Sequence, residues 1–247
     1  MNSDTDSSQS TSENKIQNFT LAHPPPSKRT LRLAPHLSLQ IQQLNVARRP
    51  IPILEIYQPS CFGKTLAGGP RKLGSRDMYL VQSEGFTTHL ADRNGTGGYG
   101  AVVGAIYVPL REEEEEKKKK KNRKKTLVPG GVWFPFGDGW WEVTSTSNGG
   151  TGRRYRFVFK SEGSRGVELQ WEKRSEVKGD RFVLRIADSK LATLTRKGLK
   201  VGGWDCAQRD YLSTSLRGDR IVDEDTALYT CVLTMGVYVA AQENWLN

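Results

Sequence analysis

The sequence predicts a mainly β fold, an antiparallel closed or nearly closed barrel around a buried, apolar C-terminal helix. Segments of alternating apolar and polar residues recur between residues 31 and 201, and no helical pattern separates them as parallel strands would require. Residues 227–241 are apolar or weakly polar at nearly every position, so a helix there must be buried on all sides. A closed barrel encloses such a helix and leaves no strand edge unpaired.

Length and composition bound the domain organisation. The chain has 247 residues, 36% of them hydrophobic, which is enough for a substantial core. We expect one barrel domain over residues 30–247. Lys and Arg number 37 against 27 Asp and Glu, and the net charge of +10 favours an anionic partner. Cys61, Cys206 and Cys231 follow no disulfide or zinc spacing, and the sequence shows no signal-peptide pattern, so we expect an intracellular protein, cytoplasmic or nuclear.

Residues 1–29 are predicted to form a disordered N-terminal tail. They are rich in Ser, Thr, Asn and Gln, and they hold too few apolar residues to offset the entropy of ordering the chain. The first strand is expected from Leu31, where apolar and polar residues begin to alternate. Residues 49–57 form a second extended segment. Because proline donates no ladder hydrogen bond, Pro50 and Pro52 predict a peripheral edge or entry strand there.

The clearest pair of strands lies in the second half of the chain. Every second residue of 155–159 is aromatic and every second residue of 167–171 is apolar, which predicts a hairpin turning through residues 161–166. A tight turn is predicted at Asp138-Gly139. Nine or ten strands are expected in all, the others at residues 77–84, 100–110, 131–136, 140–145, 181–187 and 191–201.

The C-terminal helix is predicted at about residues 224–245. Asp223, Glu224 and Asp225 suit its positive N-terminal end. The apolar stretch 227–241 rises only about 23 Å, less than the roughly 20 residues that cross a bilayer. No Lys or Arg flanks this stretch as an anchor. We therefore favour a helix inside the barrel, with a tail-anchored membrane protein as the alternative.

Three segments carry a resemblance to a known family. LRLAPHLSLQIQQ at residues 31–43, RPIPIL at 49–54 and GVYVAAQENW at 236–245 are similar to the opening and closing segments of a family of fungal intracellular proteins. The layout of that family resembles the tubby C-terminal, LURP-one and phospholipid scramblase superfamily. The resemblance implies a closed antiparallel barrel around a C-terminal apolar helix. Tubby domains bind phosphoinositides through basic side chains on the barrel surface, although no functional residue carries over to this chain.

Arg196, Lys197 and Lys200 are the preferred candidates for contact with phosphate headgroups. They surround Gly198, and no acidic residue stands near them in the sequence. A second basic stripe, on the hairpin, consists of Arg154, Arg156 and Lys160.

Glu168 and Glu172 on the partner strand are expected to pair with that hairpin stripe and to neutralise much of it. The hairpin stripe is therefore the weaker candidate for a binding site.

A charged run at residues 111–125 interrupts the barrel pattern. We interpret it as a low-complexity insertion between two strands, because surface loops tolerate added length at little cost. The alternative is a nuclear-import or nucleic-acid-binding patch, which would make the chain a nuclear, polyanion-associated protein. The residues of that patch would be Lys117, Lys118, Lys119, Lys120, Lys121, Arg123, Lys124 and Lys125.

Aromatic residues crowd around residues 133–141. Since strand neighbours point to opposite faces, either Trp140 or Trp141 is expected to face outward. An exposed group of aromatic rings could stack on sugars or bases, whereas buried rings would belong to the barrel core.

Motifs for catalysis and cofactors are incomplete. Gly95, Gly97 and Gly100 spell a dinucleotide fingerprint without the following helix, and Gly63-Lys64-Thr65 lacks the first glycine of a P-loop. No nucleophile is paired with a base, and no metal-ligand spacing occurs. We therefore expect a non-enzymatic binding protein with no cofactor and no metal, which contacts phosphoinositides or another anionic partner through the barrel surface.

Overall fold

The computed structural model describes residues 16–25, 33–44, 49–83, 102–111, 127–137, 139–148, 152–161, 166–176, 179–186, 189–214 and 224–246. The strands of this part of the chain are β1 (Gln17–Ala22), β2 (His36–Leu44), β3 (Pro50–Gln58), β4 (Met78–Gln82), β5 (Val102–Tyr107), β6 (Leu110–Arg111), β7 (Leu127–Val128), β8 (Gly130–Trp133), β9 (Trp140–Asn148), β10 (Gly152–Lys160), β11 (Glu168–Glu176), β12 (Gly179–Ile186), β13 (Ser189–Thr195) and β14 (Gly198–Val201). The helices are α1 (Cys206–Thr214) and α2 (Glu224–Gln242).

Twelve strands form a closed antiparallel barrel, in the order β1-β14-β13-β12-β11-β10-β9-β8-β5-β4-β3-β2. β6 and β7 form a separate two-stranded ladder between β5 and β8 in the chain. The predicted barrel is thus confirmed. The predicted hairpin is β10 and β11, where Tyr155 pairs with Trp171 and Phe157 with Leu169. All four of these side chains are buried in the core.

α2 lies inside the barrel, as its all-round apolar sequence predicts. Every residue from Ala227 to Ala240 except Tyr229 is buried. The ring of Tyr238 meets the edges of Tyr155 and Phe157 on β10. On another side of the helix, a side chain at Gly236 would collide with Leu199 on β14. The helix is therefore enclosed by strands from different parts of the barrel, and the prediction of a core helix is confirmed.

The end of α2 is fixed by a local hydrogen-bonding motif. Asn244 has a φ of 57°, a left-handed conformation that asparagine tolerates better than most residues. The N–H of Trp245 donates to the carbonyl of Ala240 at 2.8 Å, and the N–H of Asn244 donates to that of Ala241 at 3.2 Å. These two bonds form a Schellman motif, which ends the helix at Gln242, three residues before the predicted end.

The prediction of a disordered tail over residues 1–29 is wrong for residues 17–22. These residues form β1, which pairs with β14 on one side and β2 on the other and so closes the barrel. Phe19 and Leu21 are buried in the core. Two inward apolar side chains suffice to hold this strand in the barrel, because β2 and β14 supply its backbone hydrogen-bond partners. The remaining residues assigned to the tail lie largely outside the described part of the chain.

The prediction that residues 49–57 are peripheral is also wrong. β3 lies within the closed barrel, between β2 and β4. Pro50 and Pro52 pair with β2, next to a register shift between Ile41 and Gln42. The ladder with β4 begins only at Leu54. Pro50 and Pro52, which lack an N–H group, therefore lie where β3 is paired with β2 alone.

The barrel has two rims, which we name after the ends of α2. The strand ends that flank residues 23–35, 59–77, 108–129, 149–151, 177–178 and 196–197 lie at the C-terminal rim, where α2 ends. The strand ends that flank residues 45–49, 83–101, 134–139, 161–167, 187–188 and 202–223 lie at the N-terminal rim. The ion pair between Arg153, at the start of β10, and Glu243, after α2, places both at the C-terminal rim.

α1 closes part of the N-terminal rim, and the sequence analysis did not predict it. The Asp205 carboxylate accepts a hydrogen bond from the N–H of Gln208, while the Gln208 side chain accepts one from the N–H of Asp205. This is a capping box, a signal readable in the sequence. Leu212 is buried in the core, and Arg209 pairs with Asp225 of α2 at 2.8 Å.

Candidate functional site

The structure brings together two of the three preferred candidate residues. Arg196 and Lys197 form the exposed two-residue turn between β13 and β14, at the C-terminal rim. Lys200 is exposed on the outer wall, where its ladder partners are Asn18 and Thr193. It lies three residues from the turn, about 10 Å along the strand. The three cations therefore run from the rim down one side of the barrel.

The charges of this turn are not neutralised by close ion pairs. Within the described residues, no carboxylate lies within ion-pair distance of Arg196, Lys197 or Lys200. Asp180 is nonetheless near, although it is distant in sequence. Its pKa is lowered chiefly by a hydrogen bond from Lys173, and the charge of Arg196 contributes to the shift.

The guanidinium of Arg196 also lies 5.9 Å from the ring centroid of Trp245, within the range of a cation–π contact. The turn is therefore held near the end of α2 while its cations stay exposed.

The basic stripe of the hairpin is paired at two points, Arg156 with Glu168 and, less closely, Arg154 with Glu172. Arg156 forms two hydrogen bonds with Glu168, as predicted, and these lower the pKa of the Glu168 carboxyl. Both side chains are exposed, so the pair contributes little to stability.

Glu172 is shared between three arginines. Its carboxylate lies 3.7 Å from Arg154, 3.2 Å from Arg174 and 3.9 Å from Arg185. Arg154 and Arg174 have no other ion-pair partner among the described residues, so one carboxylate faces two exposed guanidinium groups and positive charge remains in surplus on this wall. The sequence analysis missed Arg174, which lies two residues after Glu172 on the same face of β11. It also missed Arg185, which only the register of β11 and β12 brings to Glu172. We define the basic surface as Arg154, Arg174, Arg185, Arg196, Lys197 and Lys200.

Glu243 binds three side chains of the barrel wall at the C-terminal rim. Tyr155 donates a hydrogen bond to its carboxylate at 2.6 Å, and Arg153 donates one at 3.1 Å. Lys173 lies 3.7 Å from the same carboxylate. Burial, followed by the hydrogen bond to Glu243, raises the pKa of Tyr155. The end of α2 is thereby tied to β10 and β11.

The charged run lies outside the described residues, apart from its first residue. Arg111 ends β6 and pairs with Leu127 of β7 across the gap. Both flanks are connected to the C-terminal rim, next to the ends of β5 and β8. Lys117–Lys121, Arg123, Lys124 and Lys125 therefore stay a predicted polyanion or nuclear-import patch.

Residues 59–77 form an ordered loop after β3 at the same rim. The buried carboxylate of Asp77 accepts hydrogen bonds from Arg71 at 2.6 and 3.0 Å and from the N–H groups of Gly74 and Val108 at 2.7 and 2.8 Å. Lys64 lies 4.7 Å from the ring centroid of Tyr79. These contacts fix the loop against the barrel wall.

The loop covers an aromatic patch on the outside of the barrel, which we call the outer cluster. Trp141 faces the core and Trp140 faces outward, as strand alternation predicts. Trp140 is half-buried against the outer cluster, so its ring is partly covered. The apolar residues on both faces of β4 are the sequence signal that could have revealed this second layer. The outer cluster consists of Leu66, Leu73, Tyr79, Val81, Ala105, Tyr107 and Trp133, with Tyr57, Val102 and Trp140 packed against it.

The described residues show no cluster of metal-binding side chains. No three His, Cys, Asp or Glu side chains among them come close enough to hold a metal ion. Cys61 and Cys206 are exposed, whereas Cys231 is buried in α2 and its burial raises the thiol pKa. Neither described helix is long and apolar enough to cross a bilayer.

Comparison with known proteins gives no relative. The chain matches no protein-family model, no curated protein and no solved structure. The resemblance to the tubby, LURP-one and scramblase superfamily therefore stays a prediction.

Proposed function

We propose that this barrel is a non-enzymatic binding protein that contacts phosphoinositide-bearing membranes through its basic surface. The observation that carries the proposal is the surplus of positive charge on one side of the barrel. Glu172 is shared by the exposed Arg154 and Arg174, and the cations of the neighbouring turn have no close carboxylate among the described residues. The net charge of +10 over the whole chain agrees in sign.

The chemistry of the basic surface suits phosphate headgroups. Arginine guanidinium groups bind phosphate oxygens in a bidentate manner, and exposed lysines add a less directional attraction. Each Lys or Arg near an anionic membrane surface contributes about 1 kcal/mol to binding, an effect that salt screens. The barrel interior is occupied by α2, so the outer surface is the part of the described fold that faces a partner.

The test compares two double variants of the full chain in vesicle cosedimentation. Arg196→Ala/Lys197→Ala removes two cations from the basic surface. Lys160→Ala/Lys190→Ala removes two exposed cations at the N-terminal rim and serves as the matched control. On vesicles that contain phosphoinositides, we expect the first variant to bind at least about tenfold more weakly and the control to bind within about twofold of wild type. Adding Lys200→Ala to the first variant should weaken binding further.

Equal losses in the two double variants would show that only the net charge matters and would remove the assignment of the site. Deletion of residues 112–125 separates the alternative. If that deletion alone abolishes vesicle binding, the charged run and not the barrel carries the interaction.

A further inference from the structure

We infer that the C-terminal rim is the side of the barrel that faces the bilayer and that Phe62 inserts among the lipid headgroups. The inference rests on the proposed membrane binding and adds to it an orientation and an apolar contact. The occupant of this rim is thus an anionic membrane surface.

Phe62 is a large apolar side chain that the fold leaves in solvent. It is 70% exposed, at the tip of a turn closed by a 2.9 Å hydrogen bond from the N–H of Gly63 to the carbonyl of Ser60. Gly63 has a φ of 74°, and a Cβ there would collide with the carbonyl of Leu73. The turn therefore requires glycine at this position, and it holds Phe62 away from the protein.

The turn is held in place by the loop behind it. Lys64 and Leu73 exchange backbone hydrogen bonds of 3.1 and 2.8 Å, and Leu66 and Leu73 are buried in the outer cluster. The buried Asp77 joins the base of the loop to Arg71. The loop could therefore present Phe62 to a partner without first having to order, which lowers the entropic cost of the contact.

A second exposed apolar residue lies at the same rim. Leu33 is 67% exposed and stands three residues before His36, the ladder partner of Gln58. The segment that enters β2 and the segment that leaves β3 therefore project from the rim side by side. Leu33 and Phe62 lie on these two segments.

The cations near Phe62 favour an anionic membrane as the partner of this rim. Lys72 and Arg76 are exposed on the same loop as Phe62 and form no ion pair within the described residues. The turn of Arg196 and Lys197 lies four strand spacings away around the barrel, about 19 Å. Exposed apolar side chains among cations are the combination that interfacial membrane binding uses.

The N-terminal rim also exposes apolar residues, but acidic residues of the two helices accompany them. Ile16 and Leu44 are 64% and 56% exposed there. The helices at that rim bring carboxylates that an anionic membrane repels, and Arg209 is shared between two of them. These carboxylates belong to Asp205, Asp210, Glu224 and Asp225.

The two exposed cysteines report the orientation directly. Cys61 is the neighbour of Phe62, and Cys206 begins α1 at the N-terminal rim. A polarity-sensitive thiol dye would be attached to Cys61 in a Cys206→Ser chain and to Cys206 in a Cys61→Ser chain. With phosphoinositide vesicles, we expect the emission of the Cys61 dye to shift to the blue and that of the Cys206 dye to stay unchanged.

A matched pair of substitutions tests the apolar contact. Phe62→Ser should weaken vesicle binding about tenfold, the equivalent of about 1.4 kcal/mol, while Leu44→Ser should leave it within twofold of wild type. If vesicles bind but the Cys61 dye does not shift, or both dyes shift alike, the rim orientation is wrong and the proposed membrane binding stands. If the wild-type chain does not bind vesicles at all, both proposals are wrong.

Discussion

Tyr155 on β10 donates a 2.6 Å hydrogen bond to the carboxylate of Glu243, the residue that follows α2. This bond joins the barrel wall to the end of the helix that the barrel encloses. Tyr155 is 1% exposed, and the Glu243 side chain is 9% exposed. A hydrogen bond to a charged group in such a setting contributes more to stability than one at the surface.

Tyr155→Phe should therefore lower the free energy of unfolding by about 1–2 kcal/mol, because Glu243 loses one donor but keeps Arg153 and Lys173. Urea unfolding monitored by circular dichroism measures the change. Arg156→Ala is the control, since it breaks an exposed pair with Glu168 and should cost about 0.5 kcal/mol or less. A larger loss for Arg156→Ala than for Tyr155→Phe would contradict this ranking.

Substitution of Gly236 tests how tightly the barrel packs around α2. A Cβ at this position would collide with the buried side chain of Leu199 on β14. Gly236→Val should cost about 2 kcal/mol or more, because overpacking outweighs the gain in helix propensity. Ala241→Val, at a half-buried position of the same helix, should cost less than about 1 kcal/mol. Equal stability of Gly236→Val and wild type would show that α2 does not pack against β14 in this way.

The raised pKa values of two tyrosines predict that the protein loses stability at alkaline pH. Burial, with the hydrogen bond that Tyr57 donates to Glu55, raises the pKa of Tyr57 to about 12, and burial raises that of Tyr107 to about 12. The folded state favours the neutral phenols. Their contribution to the free energy of unfolding is therefore complete below pH 10 and is lost as the pH rises towards 12.

Unfolding by urea at several pH values measures this effect. The free energy of unfolding of wild type should fall with pH above about 10, and the slope should be smaller in Tyr57→Phe. The same slope in both proteins would contradict the role assigned to Tyr57.

Asp77 anchors the loop that carries Phe62. Asp77→Asn removes the charge that pairs with Arg71 and should destabilise the protein by about 2–3 kcal/mol, because the nearly buried Asp77 carboxylate accepts hydrogen bonds from Arg71 and from two backbone N–H groups. Limited trypsin digestion should then cut sooner at Lys72 or Arg76. An unchanged rate of cleavage would mean that the other loop contacts hold it without Asp77.

Local sequence patterns predicted the elements whose partners are close in the chain. The alternation in residues 155–159 and 167–171 predicted the β10–β11 hairpin because a single turn brings both strands together. α2 was predictable from its uniform apolar composition, because only the barrel interior or a membrane can bury such a helix. The structure ends it three residues earlier, at the Schellman hydrogen bonds around the left-handed Asn244.

Elements that depend on distant partners were not predictable. β1 has only Phe19 and Leu21 as inward apolar residues, and its stability comes from β2 and β14, the latter about 180 residues away. The shared carboxylate of Glu172 depends in the same way on the register of β11 with β10 and β12. Arg196 and Lys197 were selected because no acidic residue stands near them in the sequence, whereas their spatial neighbour Asp180 comes from β12 and could not be read from the local sequence.

Salt dependence of vesicle binding by the wild-type chain tests the proposed function most directly. The full chain is mixed with neutral vesicles, with phosphatidylserine vesicles and with phosphoinositide vesicles of matched charge, at several salt concentrations. We expect the tightest binding to phosphoinositide vesicles and a steep loss of affinity as salt is added, because screening weakens the attraction of the basic surface to phosphate groups. No binding to phosphoinositide vesicles at low salt would contradict the proposal that this barrel contacts membranes.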